Sequence, residues 1–238
     1  MRTQTRSCFA DAVGFTRTEL MATVAAVGLI ALIGIPSLGE AGNRSERVVC
    51  LNNLGQLGRA YQMWATDHEG FLPFLLPTSR GGIQSHPMAG NVYFQVAALS
   101  NELRAASVLA CPSDPTVKRA VNFSSGEGGL INPGFQNNAV SYFITHAWDG
   151  SETGLLAGDR NLEATIGASG CAYFLTSTAL DGRFTAWRES IHMSSGNVLF
   201  QNGAAEQTGN IQLRNLLRLP DEALGGGQQL HHLVMRLQ

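Results

Sequence analysis

Leu20-Met-Ala-Thr-Val-Ala-Ala-Val-Gly-Leu-Ile-Ala-Leu-Ile-Gly-Ile-Pro-Ser-Leu-Gly39 is the stretch on which the reading of the fold turns. No charge interrupts it over 20 residues. A helix of that length is about 30 Å long, the thickness of a bilayer core. Arg2, Arg6, Asp11, Arg17 and Glu19 precede it, and Glu40, Arg44, Glu46 and Arg47 follow. The upstream arginines favour a cytoplasmic N-terminus. Pro36 lacks an amide donor and clashes with the carbonyl one turn earlier, so a kink or local melting is expected there. By hydropathy alone the run suits a cleaved signal peptide or a single-span anchor.

Beyond the run, apolar periodicity resumes. Leu51, Leu54, Leu57, Tyr61 and Trp64 form one helical stripe, with Asn52, Asn53, Gln56, Arg59 and Gln62 mostly elsewhere. The helix is expected to end by Asp67-His-Glu-Gly70. It would thus have a membrane half and an amphipathic half, the second packed on a head domain.

The head reads as loops and short elements. Pro73, Pro77 and Pro87 break the chain between residues 70 and 91. Val92–Glu102 and Gln212–Leu217 suit short helices. Ala139–Thr145, Cys171–Thr176, Asn197–Gln201 and His232–Leu237 suit strands. Asn202-Gly203 is a two-residue hairpin signal, since both residues tolerate positive φ. Short strands joined by Gly-rich loops imply an antiparallel sheet, whose apolar face the amphipathic helix covers.

Composition narrows the function. The net charge of −2 leaves no electrostatic footprint for nucleic acid. Charged residues make up 14%, Lys118 is the sole lysine, and 27 glycines are present. Such a weakly charged chain suits a subunit that packs against copies of itself. No nucleophile elbow, P-loop, zinc-protease helix or dinucleotide fingerprint occurs. The expectation is therefore a non-enzyme with no cofactor. His231-His232 would point to opposite faces of a strand and cannot easily share an ion. Asp149-Gly150 and Asp181-Gly182 are loop candidates for calcium without an EF-hand pattern, so the metal question stays open.

Gly14-Phe15-Thr16-Arg17-Thr18-Glu19-Leu20 resembles the type IV prepilin processing site, G-F-x-x-x-E-L. The resemblance implies cleavage after Gly14 and N-methylation of Phe15. Pro36 would then be the twenty-second residue of the mature chain, where many type IV pilins also carry proline. It also implies that Glu19 pairs with the Phe15 amine of a neighbouring subunit and sets assembly register. Arg17 departs from the pattern, which usually has an apolar residue there.

Cys50-Leu-Asn-Asn53-Leu54-Gly-Gln56-Leu-Gly58 is similar to the C-x-x-N-L-x-Q-x-G signature of a pseudopilin-like family. Cys111-Pro-Ser-Asp114 matches its C-P-x-D, and Gly158-Asp159-Arg160-Asn161 its G-D-R-N. Read without the resemblance, the last motif is a surface turn with an Asp–Arg pair worth little, and nothing marks it as catalytic. His192 and Asn202-Gly203 resemble its H-x9-D-G element, with asparagine replacing aspartate. Cys8 would leave with the leader. Of Cys50, Cys111 and Cys171, the favoured bridge is Cys50–Cys111, tying helix to head, with Cys171 a buried free thiol.

The expected fold is α+β and pilin-like: a long N-terminal helix, membrane half plus amphipathic half, on a small antiparallel β-sheet head. The expected divisions are a leader at 1–14, a transmembrane and assembly helix at 15–39, an amphipathic half at 40–66 and a head at 67–238. The expected function is a single-pass inner-membrane structural subunit with a periplasmic head, built into a type IV pilus or a type II secretion pseudopilus. Its partners would be a prepilin peptidase, sister subunits, and an assembly platform with its motor. The alternative is a membrane-tethered periplasmic binding module outside any filament.

Overall fold

A computed structural model describes residues 14, 16–145, 154–163, 186–217 and 233–234; the side chains of 32–43 are not described. The chain divides into two compact units, Met1–Arg44 and Ser45–Gln238. Helix α1, Arg17–Asp67, is assigned across that division. Of the described helices, only α1 and α5 (Asn210–Leu217) have more than six residues.

In the first unit, α1 is helical in backbone through Pro36, so the expected local melting is not seen. Among the described residues, no helix is long and apolar enough to cross a membrane. The pilin-like fold with a membrane half in its N-terminal helix is corrected on this finding. So are the single-pass inner-membrane placement with a periplasmic head and the description of the chain as a transmembrane prepilin.

The second unit is α+β. Its main sheet has the order β6-β5-β2-β1-β7, every neighbouring pair antiparallel. The strands are β1 (Tyr142–Thr145), β2 (Leu155–Asp159), β5 (Ser195–Phe200), β6 (Ala205–Gly209) and β7 (Leu233–Val234). A second ribbon pairs β3 (Leu162–Glu163) with β4 (Ala186–Trp187). The expected strand Cys171–Thr176 lies outside the described residues.

One sheet face packs on α1. Leu54, Leu57, Tyr61 and Trp64 join Tyr142, Ile144, Leu156, Ala157 and Leu199 in one buried cluster. The alternation along β1 sends Phe143 to the opposite face, where it meets Leu162, Trp187, Val198 and Leu213. Both faces of the sheet are therefore covered, not one. Leu156 and Ala157 are consecutive yet share a face, because the β2–β5 register shifts between Leu155 and Ala157.

Two glycines set how closely these layers approach. A Cβ on Gly58 of α1 would sit 2.7 Å from Leu199 Cδ1 and 3.3 Å from the Gly203 backbone. A Cβ on Gly196 of β5 would lie 2.6 Å from the Trp187 ring. That ring is pinned from its polar end, since Trp187 Nε1 donates to Thr208 Oγ1 at 3.2 Å. Gly196→Ala should lower unfolding free energy by about 1–3 kcal/mol through overpacking. Urea denaturation of the full chain followed by tryptophan fluorescence measures this; an unchanged midpoint would show that the indole can yield.

Candidate functional site

Motifs scattered over the sequence of the second unit converge on one corner, where α1 meets the sheet. Cys50 of α1 and Cys111 are joined by a disulfide across a separation of 61 residues. A closed loop of that length removes enough denatured-state entropy to contribute about 4 kcal/mol. Asn53, one turn beyond Cys50, donates from Nδ2 to the Ala110 carbonyl at 3.2 Å. Tyr142 Oη donates to the Cys50 carbonyl at 3.4 Å. The residues of the C-x-x-N motif therefore act together as a clasp on the Cys111 loop.

Asp114 of the C-P-x-D motif is buried and fully engaged. Ser141 Oγ donates to its Oδ2 at 2.8 Å, and Thr116 donates from N and Oγ1 to its Oδ1, each at 3.1 Å. Arg160 Nη2 pairs with the same oxygen and also donates to Thr116 Oγ1. The paired side chains are only 8% and 1% exposed. The surface-turn reading of G-D-R-N is corrected by this burial: Arg160 bridges the C-P-x-D loop to the end of β2. A buried ion pair returns its desolvation cost only when its remaining atoms are satisfied; those of Asp114 are, whereas Arg160 Nη1 is buried without a hydrogen-bond partner. Asn161 donates from Nδ2 to the Arg188 and Ser195 carbonyls at 2.9 and 3.0 Å. The cavity beside this pair, lined by Thr116, Arg160, Arg188 and Ser190, holds about 60 Å³. That is room for about two waters, far below the roughly 300 Å³ at which ligand pockets begin.

His192 ends helix α4, Glu189–His192, and is buried. Its Nε2 lies 3.3 Å from Asp159 Oδ2, 3.3 Å from Asn197 Nδ2 and 3.6 Å from Cys111 Sγ. Its carbonyl accepts from Arg47 Nη2 at 2.8 Å, a second tie between α1 and this corner. Asp159 Oδ2 also accepts from the Asn197 amide at 2.6 Å. Burial pushes the Asp159 carboxyl above the usual aspartate range, against the opposing pull of His192 and Asn197. Neither the burial of Asp159 nor its pairing with His192 was read from the sequence. Both motifs were visible there, but nothing in either one names the other as partner.

The turn between β5 and β6 is a three-residue loop, Gln201–Gly203, closed by Phe200 N donating to the Ala204 carbonyl at 2.8 Å; only Gly203 has positive φ, at +84°, so the expected two-residue turn is corrected. Asn202 Oδ1 accepts from the Ala204 amide at 2.9 Å, and the Asn202 carbonyl accepts from Gln62 Nε2 of α1 at 2.6 Å. His192 precedes β5 and Asn202 follows it. A six-residue strand spans roughly 20 Å, so the two ends of H-x9-N-G serve different places. His192 belongs to the buried corner; Asn202-Gly203 docks the hairpin on α1.

In the first unit, Gly14 is exposed, and Phe15 lies outside the described residues. Glu19 closes a reciprocal cap at the start of α1. Its Oε2 accepts from Thr16 N at 2.9 Å and Thr16 Oγ1 at 2.8 Å, while Glu19 N donates to Thr16 Oγ1 at 3.3 Å. These Thr16 donors, the amide first, hold the Glu19 carboxyl below the usual glutamate range. The T-x-x-E spacing of Thr16–Glu19 is the sequence signal for this capping box, visible within the G-F-x-x-x-E-L stretch. Asp149-Gly150, Cys171, Asp181-Gly182 and His231-His232 lie outside the described residues.

No protein-family model, curated protein or solved structure matches the chain.

Arg160→Ala leaves the buried Asp114 charge without its cation. It should cost about 3–5 kcal/mol in unfolding free energy, read from denaturant midpoints. The pH dependence of stability isolates Asp159. A carboxyl whose folded pKa is raised binds more protons folded than unfolded, so its contribution falls as pH rises from the ordinary aspartate value towards the raised one. Asp159→Asn should flatten that decline, measured as unfolding midpoint against pH.

Proposed function

We propose that this chain is a structural subunit, not an enzyme, that associates with sister chains through the apolar helix of its first unit. One observation supports the reading above others. Leu20, Met21, Val24, Val27, Leu29 and Ile30 are 57–74% exposed, and at 3.6 residues per turn they surround α1 on every side. A helix apolar all round requires cover, because exposed apolar surface of this extent drives association. Helices of neighbouring subunits provide it in filaments of the type IV pilus or type II secretion pseudopilus kind.

The G-F-x-x-x-E-L sequence supplies the processing step in this reading. A prepilin peptidase cuts after Gly14 and Phe15 is N-methylated. The new cationic amine becomes the partner offered to Glu19 of the next subunit. Glu19 must then exchange Thr16 donors within its own chain for a charged donor from another, which a charge-assisted bond can favour. Sister subunits, the assembly platform and its motor complete the partners. The second unit is the head, held rigid by the disulfide and the Asp114–Arg160 pair.

Mass spectrometry of the purified protein should find N-methyl-Phe15 at the N-terminus. Cysteine crosslinking through positions 24 and 27 should give ladders of self-linked or sister-linked chains. Glu19→Ala should keep the processed N-terminus and lose the ladder. An intact leader, or a processed chain that stays monomeric, overturns the proposal.

A further inference from the structure

The loop that carries Asp114, the end of β2 and the start of α4 border one small cavity. Thr116, Arg160, Asn161, Arg188 and Ser190 line it, with Asp114 as the one acid. Donors from Ser141, Thr116 and Arg160 already hold that acid. Two guanidiniums against one carboxylate leave the lining with a positive charge. Donors are also left over. Arg188 and Ser190 are exposed, and among the described residues neither the Arg188 guanidinium nor Ser190 Oγ enters a hydrogen bond or an ion pair. Arg160 Nη1 is buried without a partner.

A lining of this kind selects an oxyanion, because guanidinium forks bind anionic oxygens through charge-assisted hydrogen bonds. The volume of about 60 Å³ admits one ion of phosphate size and no larger body. A further group chooses among such ions. Asn161 Nδ2 donates to the Arg188 and Ser195 carbonyls, which fixes the orientation of the amide. Asn161 Oδ1 is then a buried acceptor that no donor meets. An ionised carboxylate accepts only, and sulfate at neutral pH has no proton to offer. Inorganic phosphate at neutral pH carries both negative charge and an O–H.

We propose that this cavity binds inorganic phosphate. Arg188 and Ser190 Oγ donate to its oxygens from the rim, and Arg160 from the wall it shares with Asp114. The phosphate O–H donates to Asn161 Oδ1. Arg160 then serves two anions, the Asp114 carboxylate through Nη2 and the phosphate through the rest of its fork. The ion ties the C-P-x-D loop, the end of β2 and α4 together. The site belongs to the second unit alone and does not depend on how the first unit associates.

Calorimetric titration of the full chain at neutral pH and constant ionic strength tests this, with inorganic phosphate, sulfate, acetate and glycerol 3-phosphate as probes. One phosphate per chain is expected, with saturable binding. Sulfate and acetate lack the proton and glycerol 3-phosphate lacks the fit, so each should bind at least about tenfold more weakly. Arg188→Ala should weaken phosphate binding more than about tenfold. Arg59→Ala removes an exposed arginine of α1 and should leave it unchanged. Phosphate should also raise the urea midpoint of the parent chain and not that of Arg188→Ala. No saturable binding of phosphate overturns the proposal, and the cavity is then a site for water alone. Equal affinity for sulfate overturns it too, as does unchanged affinity in Arg188→Ala. The comparison of anions needs no variant, so it decides whatever the substitution does to folding.

Discussion

The disulfide between Cys50 and Cys111 is the constraint on which the second unit depends. It fastens α1 to a loop that has no regular structure of its own, at the point where that loop also delivers Asp114. From there the order spreads in a chain of contacts. Asp114 holds Arg160, Arg160 leads out of β2, and β2 carries Asp159 to His192. Hydrophobic burial alone would leave α1 free to slide on a flat apolar face, since it has no direction. Directional polar ties and a covalent bond select one position.

Those ties come in pairs along α1. Near its entry to the second unit, Arg47 reaches the His192 carbonyl; further along, Gln62 reaches the Asn202 carbonyl. His192 and Asn202 stand at opposite ends of β5, so the helix is pinned at both ends of one strand. Gly58 lets the helix approach between them. The H-x9-N-G pattern therefore reads physically as the two ends of a strand that a helix must match. It is not a pair of side chains that meet. Asn202 acts through its turn geometry and its carbonyl.

The two units pose opposite problems. The second buries charges and balances them; the first exposes apolar side chains from Leu20 to Ile30 with only a polar cap at its start. The capping box stabilises the first turn of α1 locally, so that helix need not wait for a partner to begin. What lies against its flanks is then a question of association and not of folding.

Periodicity by itself placed a helix through Leu51–Trp64 with Leu54, Leu57, Tyr61 and Trp64 inward, although Leu51 is only half-buried and Cys50 takes the core position beside it; Asn-Gly marked the turn after β5. Such signals are local, so a window of a few residues contains them. Gly158 within β2 hid that strand, and its G-D-R-N end looked like a surface turn. Only tertiary structure decided that Arg160 and Asp159 are buried, because burial depends on partners such as Asp114 and His192 that lie 46 and more than 30 residues away. The uncharged run from Leu20 was legible as apolar but not as a membrane span: hydropathy records what a side chain avoids, not what covers it. The junction of Cys50 and Cys111 with His192 belongs to the same class. Chemistry that needs several groups within a few ångströms is settled where the chain crosses itself, and the order of residues along it does not state where that is.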